Sequence, residues 1–350
     1  MKDFVRMGLV TAVTALSLGL GAAASAEEKI VVTVYSGVWG EAQKTCMLTP
    51  FSTATGITPV PEPAISSVAI TKMMQQKDNP EIDVTWLDGG PSEQAWNEGI
   101  IDAIDPAKIP NLSDVADKAI YKTKDGKIYG IGTGYYATGL FYNTKEVKEK
   151  PTSWFDMWKP EYAGRVIFMS PVLANFVPTF MHINKLLGGS STNFQPAIDK
   201  FKALKVSSYY ESSGTVQASI QSGEAIFGAH YVNAIWSVND QSVPVVPIAP
   251  KEGLPAGDIR LHLVKGTKHK DAAEKFINFA VSKEALTCLG ERLYVGPTTK
   301  QPPQLSAKAR ERMPWGAEGS IADLIVPDWN EVNAKRAEII DLWNRQVVGK

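Results

Sequence analysis

Asp88 stands where an apolar strand stops. The run Ile82 to Leu87 reads IDVTWL, and Asp88-Gly89-Gly90-Pro91 breaks it. A carboxylate in such a turn either caps the following helix or pairs with a cation. Trp39 and the tandem Tyr135-Tyr136 supply aromatic faces, which attract ammonium groups. Arg260, in the run GDIRLHLV, offers the opposite chemistry. Its fork of donors suits a ligand carboxylate or phosphonate, or else a surface ion pair. Asp258 lies two residues earlier, on the same face of a regular strand. A hydrolase would need an activated nucleophile beside a base. No Gly-x-Ser-x-Gly motif and no arguable Ser/His/acid spacing is present. His182, His230, His262 and His269 are scattered, and no Cys-x-x-Cys or His-Glu-x-x-His occurs, so neither a metal site nor a cofactor is expected.

The elements that must position these groups follow a βα rhythm. Ile30 to Tyr35 (IVVTVY) is a β-branched run typical of a strand buried on both faces. Ser36-Gly37 ends it, and a helix is predicted from about 41 to 55, closing at Gly56. After the second strand, Ser92 is the predicted cap of another helix. In open α/β sheets ligands sit at the carboxyl ends of the strands, so the turns 36–40 and 88–92 are candidate site loops. Asp125-Gly126-Lys127 reads as a hairpin turn, and the Gly- and Tyr-rich stretch 128–143 as an extended hinge crossing. A dinucleotide loop is rejected there, because the third glycine of that fingerprint falls at Tyr135 and no helix pattern follows. One of Tyr135 and Tyr136 should face the cleft while the other packs. Strands are predicted at 164–169, 206–211, 225–231 and 257–264, the last a second crossing. The proline-rich 243–250 reads as a connector. These strands carry Ser170, Glu211, Tyr231 and Asn233 at or just past their ends. Ser213 and Thr215 open a helix whose N–H groups either accept an anion or are simply capped. Amphipathic helices are predicted at 271–281, 283–292 and from Asp328 onward.

The first 26 residues have the form of a secretory signal. Lys2 and Arg6 precede an apolar run from Gly8 to Ala24, and Ala24-Ser25-Ala26 offers a cleavage site, predicted after Ala26. About 324 residues would remain, enough for two domains. The whole chain carries a net charge of -1, which gives no broad cationic field for nucleic acid or anionic membranes. Cys46 and Cys288 are the two cysteines. An oxidising compartment permits a bridge between them, but spacing alone leaves two buried thiols equally open.

Several strings together resemble one family, the solute-binding proteins of ABC importers, in the spermidine/putrescine-binding branch. They are Tyr142-Asn143-Thr144, then TSWFDMW from Thr152, PEYAGR from Pro160, QSGE from Gln221, PKEG from Pro250 and AAEKFINF from Ala272. Their order and spacing span nearly the whole mature chain. The resemblance implies a type II periplasmic binding fold: two α/β lobes, each an open mostly parallel sheet, joined by hinge strands. Lobe 1 is expected at 27–133 plus 256–302, and lobe 2 at 134–255 plus 303–350. The implied activity is non-catalytic. A periplasmic monomer takes a small molecule between its lobes and delivers it to a permease and its ATPase. The expected contacts are Ser36, Gly37, Trp39, Asp88, Tyr135, Tyr136, Ser170, Glu211, Ser213, Thr215, Tyr231, Asn233, Asp258 and Arg260. Polyamine-binding relatives carry carboxylates in the loop that here reads Ser170 to Asn175, and an aspartate near the position of Arg260. With those acids missing, a γ-aminobutyrate-like zwitterion is the leading ligand and a plain polyamine the alternative. Ferric-binding relatives place tandem tyrosines where this chain has His230-Tyr231, which weakens an iron reading. A further role with a chemoreceptor stays open.

Overall fold

The computed structural model describes residues 28–349. The signal segment expected at 1–26 lies outside the described residues. Eleven strands form among the described residues: β1 (Lys29–Val34), β2 (Thr58–Pro63), β3 (Val84–Asp88), β4 (Ile101–Asp102), β5 (Ile120–Lys122), β6 (Ile128–Asn143), β7 (Val166–Met169), β8 (Val206–Tyr210), β9 (Phe227–Tyr231), β10 (Val245–Ile248) and β11 (Ala256–Val264). The main path runs β2-β1-β3-β11-β6-β9-β7-β8. β1 pairs in parallel with β2 and β3, and β7 pairs in parallel with β8 and β9. The antiparallel strands β6 and β11 stand between these two parallel sets.

β6 is the element that joins the halves. Its first part pairs with β11 through residues such as Ile131, Gly134 and Tyr136, and its last part pairs with β9 from Thr138 to Tyr142. The change of partner falls near Ala137. Two large apolar cores flank that point. One gathers Val32, Phe51, Trp86, Leu261, Phe276 and Leu289. The other gathers Phe141, Phe168, Phe180, Phe201, Phe227 and Trp343. Between them, Ala137, Val232, Leu254, Ala256 and Leu324 make a smaller cluster. Residues 305–321 lie against both halves: Leu305, Ala309 and Met313 meet Tyr294 and Trp236, while Trp315 packs on the first core.

Most predicted elements form where the sequence puts them. The helix expected at 41–55 is built as Val38–Gln43, a single π-turn Lys44–Leu48 and Thr49–Thr55, closed by Gly56 in the left-handed region. Two local expectations are corrected. Ser92 does not cap its helix. Gly90 is the cap residue, and its N–H donates to the Glu93 carboxylate at 2.7 Å. The stretch 243–250 is not merely a connector, because β10 pairs antiparallel with Leu140–Asn143 of β6. It has one strand neighbour, and an edge strand tolerates the proline at 247. The bridge left open by the sequence is formed: Cys46 and Cys288 are disulfide-bonded, with Cα atoms 5.6 Å apart. Both pack at the first core, so the bond ties that half to itself.

Candidate functional site

A cleft of about 600 Å³ opens where the carboxyl ends of β1, β3, β7 and β8 meet. From the first half it is lined by Tyr35, Ser36, Gly37, Trp39, Ser66, Asp88 and Tyr136. The second half contributes Ser170, Leu173, Glu211, Ser213, Tyr231 and Arg336. This is the placement expected for an α/β sheet, where strand ends and helix starts converge.

Asp88 is the best-supported charge in the cleft. Its carboxylate accepts hydrogen bonds from Ser66 Oγ at 2.5 Å, Tyr136 Oη at 2.8 Å and Tyr35 Oη at 3.4 Å. Burial nevertheless raises its pKa. The three hydroxyls oppose that rise, and the nearby charge of Asp258 adds to it. Burial likewise pushes the phenols of Tyr35 and Tyr136 well up, with the Asp88 charge as the next cause, so both remain donors. Tyr231 shifts upward for the same two reasons. The ring of Tyr136 lies over Gly257, where a Cβ would fall 2.2 Å from Cζ, so glycine is needed for that ring to take its place.

Facing this anion is Arg336, which the sequence reading missed. It sits on the C-terminal helix Trp329–Trp343, and one of its guanidinium nitrogens donates to the carbonyl of Ala174 at 3.2 Å. Burial lowers its pKa, while the fields of Asp88 and Tyr136 pull the other way. No carboxylate lies within ion-pair distance of it among the described residues. The signal available in sequence was a helical stripe. Trp329, Asn333, Arg336, Ile340 and Asn344 recur at spacings of three and four, and the last three line the cleft.

Of the sequence candidates, Ser36, Gly37, Trp39, Asp88, Tyr136, Ser170, Glu211, Ser213 and Tyr231 come together on the cleft wall. Five others do not. Tyr135 packs in the first core, where burial pushes its pKa to about 12; of the tyrosine pair, Tyr136 takes the cleft. Thr215 is exposed, and its N–H donates to the capping hydroxyl of Ser212. Asn233 is fully buried on the helix Val232–Asn239, and its side-chain amide has no hydrogen-bond partner among the described residues.

Asp258 and Arg260 form the main correction. Arg260 is 1% exposed and hydrogen-bonds to Asp258, to Glu93 at 2.5 Å and to Ser92 at 3.2 Å. Its guanidinium carbon lies 3.5 Å from the centre of the Tyr121 ring. Burial opposes its charge, but Asp258, Tyr121 and Glu93 outweigh burial and hold its pKa above the usual value. The anion expected from a ligand is therefore supplied by the chain. Asp258 is in turn bonded by the indole N–H of Trp329 at 3.0 Å.

Comparison with known proteins agrees with this geometry. Residues 47–311 match the family described as bacterial extracellular solute-binding protein. The chain is 26% identical over 261 residues to the spermidine/putrescine-binding periplasmic protein 1 of Haemophilus influenzae, covering 72% of this chain and 71% of that protein. It is 23% identical over 294 residues to the gamma-aminobutyric acid-binding protein of Pseudomonas aeruginosa, covering 81% of each. The crystal structure of an ABC transporter protein from Clostridium perfringens superposes with a TM-score of 0.70 at 25% identity, over 91% of this chain and 99% of that one. The protein's function is non-enzymatic: it binds a small molecule outside the cytoplasm, in the periplasm, and serves an ABC permease. A match over most of its length, joined to a two-core fold with a cleft at the strand ends, makes the chain a member of the bacterial extracellular solute-binding protein family.

Proposed function

We propose that the ligand is a small zwitterion carrying an amine at one end and an acid group at the other, of the size and type of γ-aminobutyrate. The observation that carries this reading is the pairing of Asp88 and Arg336 across one cleft. Each is half-buried, and neither makes an ion pair among the described residues. Leaving such charges uncompensated in a closed, dry site is costly, so a ligand with both charges matches the site. Trp39 and Tyr231 add aromatic surface beside Asp88. The gamma-aminobutyric acid-binding relative supports this ligand type, and the spermidine/putrescine-binding relative supports the second reading, a polyamine. Glu211, exposed on the cleft wall, is the one group that favours a second ammonium.

The lobes on this reading are 27–133 with 256–302, and 134–255 with 303–350. The two separate cores support that division. The protein works as a monomer after cleavage behind Ala26, and the permease it serves is powered by an ATPase. Calorimetry with γ-aminobutyrate and putrescine tests the ligand. The amino acid should bind and the diamine should bind far more weakly; tight putrescine binding without γ-aminobutyrate binding would put the polyamine reading in its place.

A further inference from the structure

We propose that the cationic end of the ligand is N-methylated, a tertiary or quaternary ammonium rather than a primary amine. This rests on the zwitterion reading of the same cleft and narrows it. Two observations carry it. The first is a count of acceptors. Oδ2 of Asp88 already accepts from Ser66 and Tyr35, and Oδ1 accepts from Tyr136. A carboxylate offers about four acceptor positions, so about one is left. A primary ammonium arrives with three N–H donors, and a buried donor without an acceptor is penalised. A trimethylammonium has no donor to satisfy. It needs only negative charge and apolar contact, and the three hydroxyls leave the charge of Asp88 in place.

The second observation is the wall around that charge. Tyr35, Trp39, Tyr136 and Tyr231 all line the cleft with Asp88. Successive ring centres are 6.0, 6.3 and 4.9 Å apart, and successive ring planes meet at 68°, 81° and 72°. Neighbouring rings therefore pack edge to face and make one continuous aromatic wall beside Asp88. An aromatic wall that includes a tryptophan is suited to quaternary ammonium groups, whose charge is spread over methyls that touch aromatic surface. A compact, strongly hydrated primary ammonium gains less from such walls and loses more water on entering.

Calorimetry on the wild type with γ-aminobutyrate and its N,N,N-trimethyl analogue tests the inference, since the two differ only at the cationic end. The trimethyl compound should bind at least about tenfold more tightly, a modest share of the range seen for desolvated cation–π contacts. Trp39→Leu should weaken the trimethyl compound more than γ-aminobutyrate and so shrink the ratio, with a thermal melt to show that the variant is folded. Equal or tighter binding of γ-aminobutyrate by the wild type overturns the inference and leaves the zwitterion reading intact. Binding of putrescine with neither acid bound overturns both.

Discussion

Arg260 and Arg336 carry the same charge into different surroundings. Arg260 is held by Asp258 and Glu93, whereas among the described residues Arg336 bonds to a backbone carbonyl and otherwise lines the cleft. Their substitutions should separate accordingly. Arg260→Ala strands the buried carboxylate of Asp258 and the half-buried one of Glu93 and should cost about 3–5 kcal/mol of stability, seen as a marked drop in Tm. Arg336→Ala should change Tm little, because no buried anion depends on it. A large fall in Tm for Arg336→Ala with none for Arg260→Ala would reverse the assignment. Asp88 gives a pH signature. Its raised pKa means that its charge is lost on acidification earlier than that of an ordinary carboxylate near 3.9. Affinity for a cationic group should therefore fall as pH drops through that raised value. The same shift means the charged form costs folding stability above the unfolded value, and acidification relieves that cost. Titration calorimetry across pH should show the affinity loss in wild type and a flat profile in Asp88→Asn. The sequence exposed the chemistry of Arg260 but not its partners, since Glu93 is 167 residues away. Long-range pairing of that kind leaves no local trace.

The C-terminal helix is the element that spans the cleft. Its first turn grips the first half: Trp329 donates to Asp258, and Asn333 donates to the carbonyl of Gly90 at 2.9 Å. Further along, Ile339 and Trp343 are buried in the second core. One helix thus bonds to the loop that follows Asp88 and also carries Arg336. Gly89 makes the close approach possible, because a Cβ there would come 2.3 Å from the Trp329 indole and 2.6 Å from Asp258. Gly89→Ala should push the indole away and lose a hydrogen bond to a charged group, about 1.5–3 kcal/mol. The expected readout is weaker ligand binding together with a larger radius in solution scattering of the bound protein; unchanged affinity and radius would mean that the helix does not couple the halves. At this scale the sequence was highly legible. The β-branched runs at β1 and β3, the glycine-rich β6 and the capped helices after Ser282 and Asp328 all formed close to their expected limits. β10 was missed because edge position, which excuses its proline, is a tertiary property. Arg336 was missed because the helix was read for its buried face and not for the stripe beside it.

Across the whole molecule, the halves meet through β6, β11 and the C-terminal helix, with the candidate cleft in the gap between two cores. The Cys46–Cys288 bond closes a loop of 242 residues. In the chain-entropy picture such a loop is worth on the order of 5 kcal/mol, and it acts on the unfolded chain. Reduction should lower Tm while leaving ligand affinity nearly unchanged, since the bond lies in one core and does not cross the cleft. A large loss of affinity on reduction of the still-folded protein would contradict that placement. On the proposed reading, Asp88 and Arg336 receive opposite ends of one small zwitterion. Reversing one end tests it most directly, by calorimetry of wild type and Arg336→Glu with γ-aminobutyrate and putrescine, which differ at a single terminus. The variant should lose γ-aminobutyrate affinity by roughly 2–5 kcal/mol, the range for breaking a buried charge pair, and gain affinity for putrescine. An Arg336→Glu protein that still binds γ-aminobutyrate as the wild type does would contradict it.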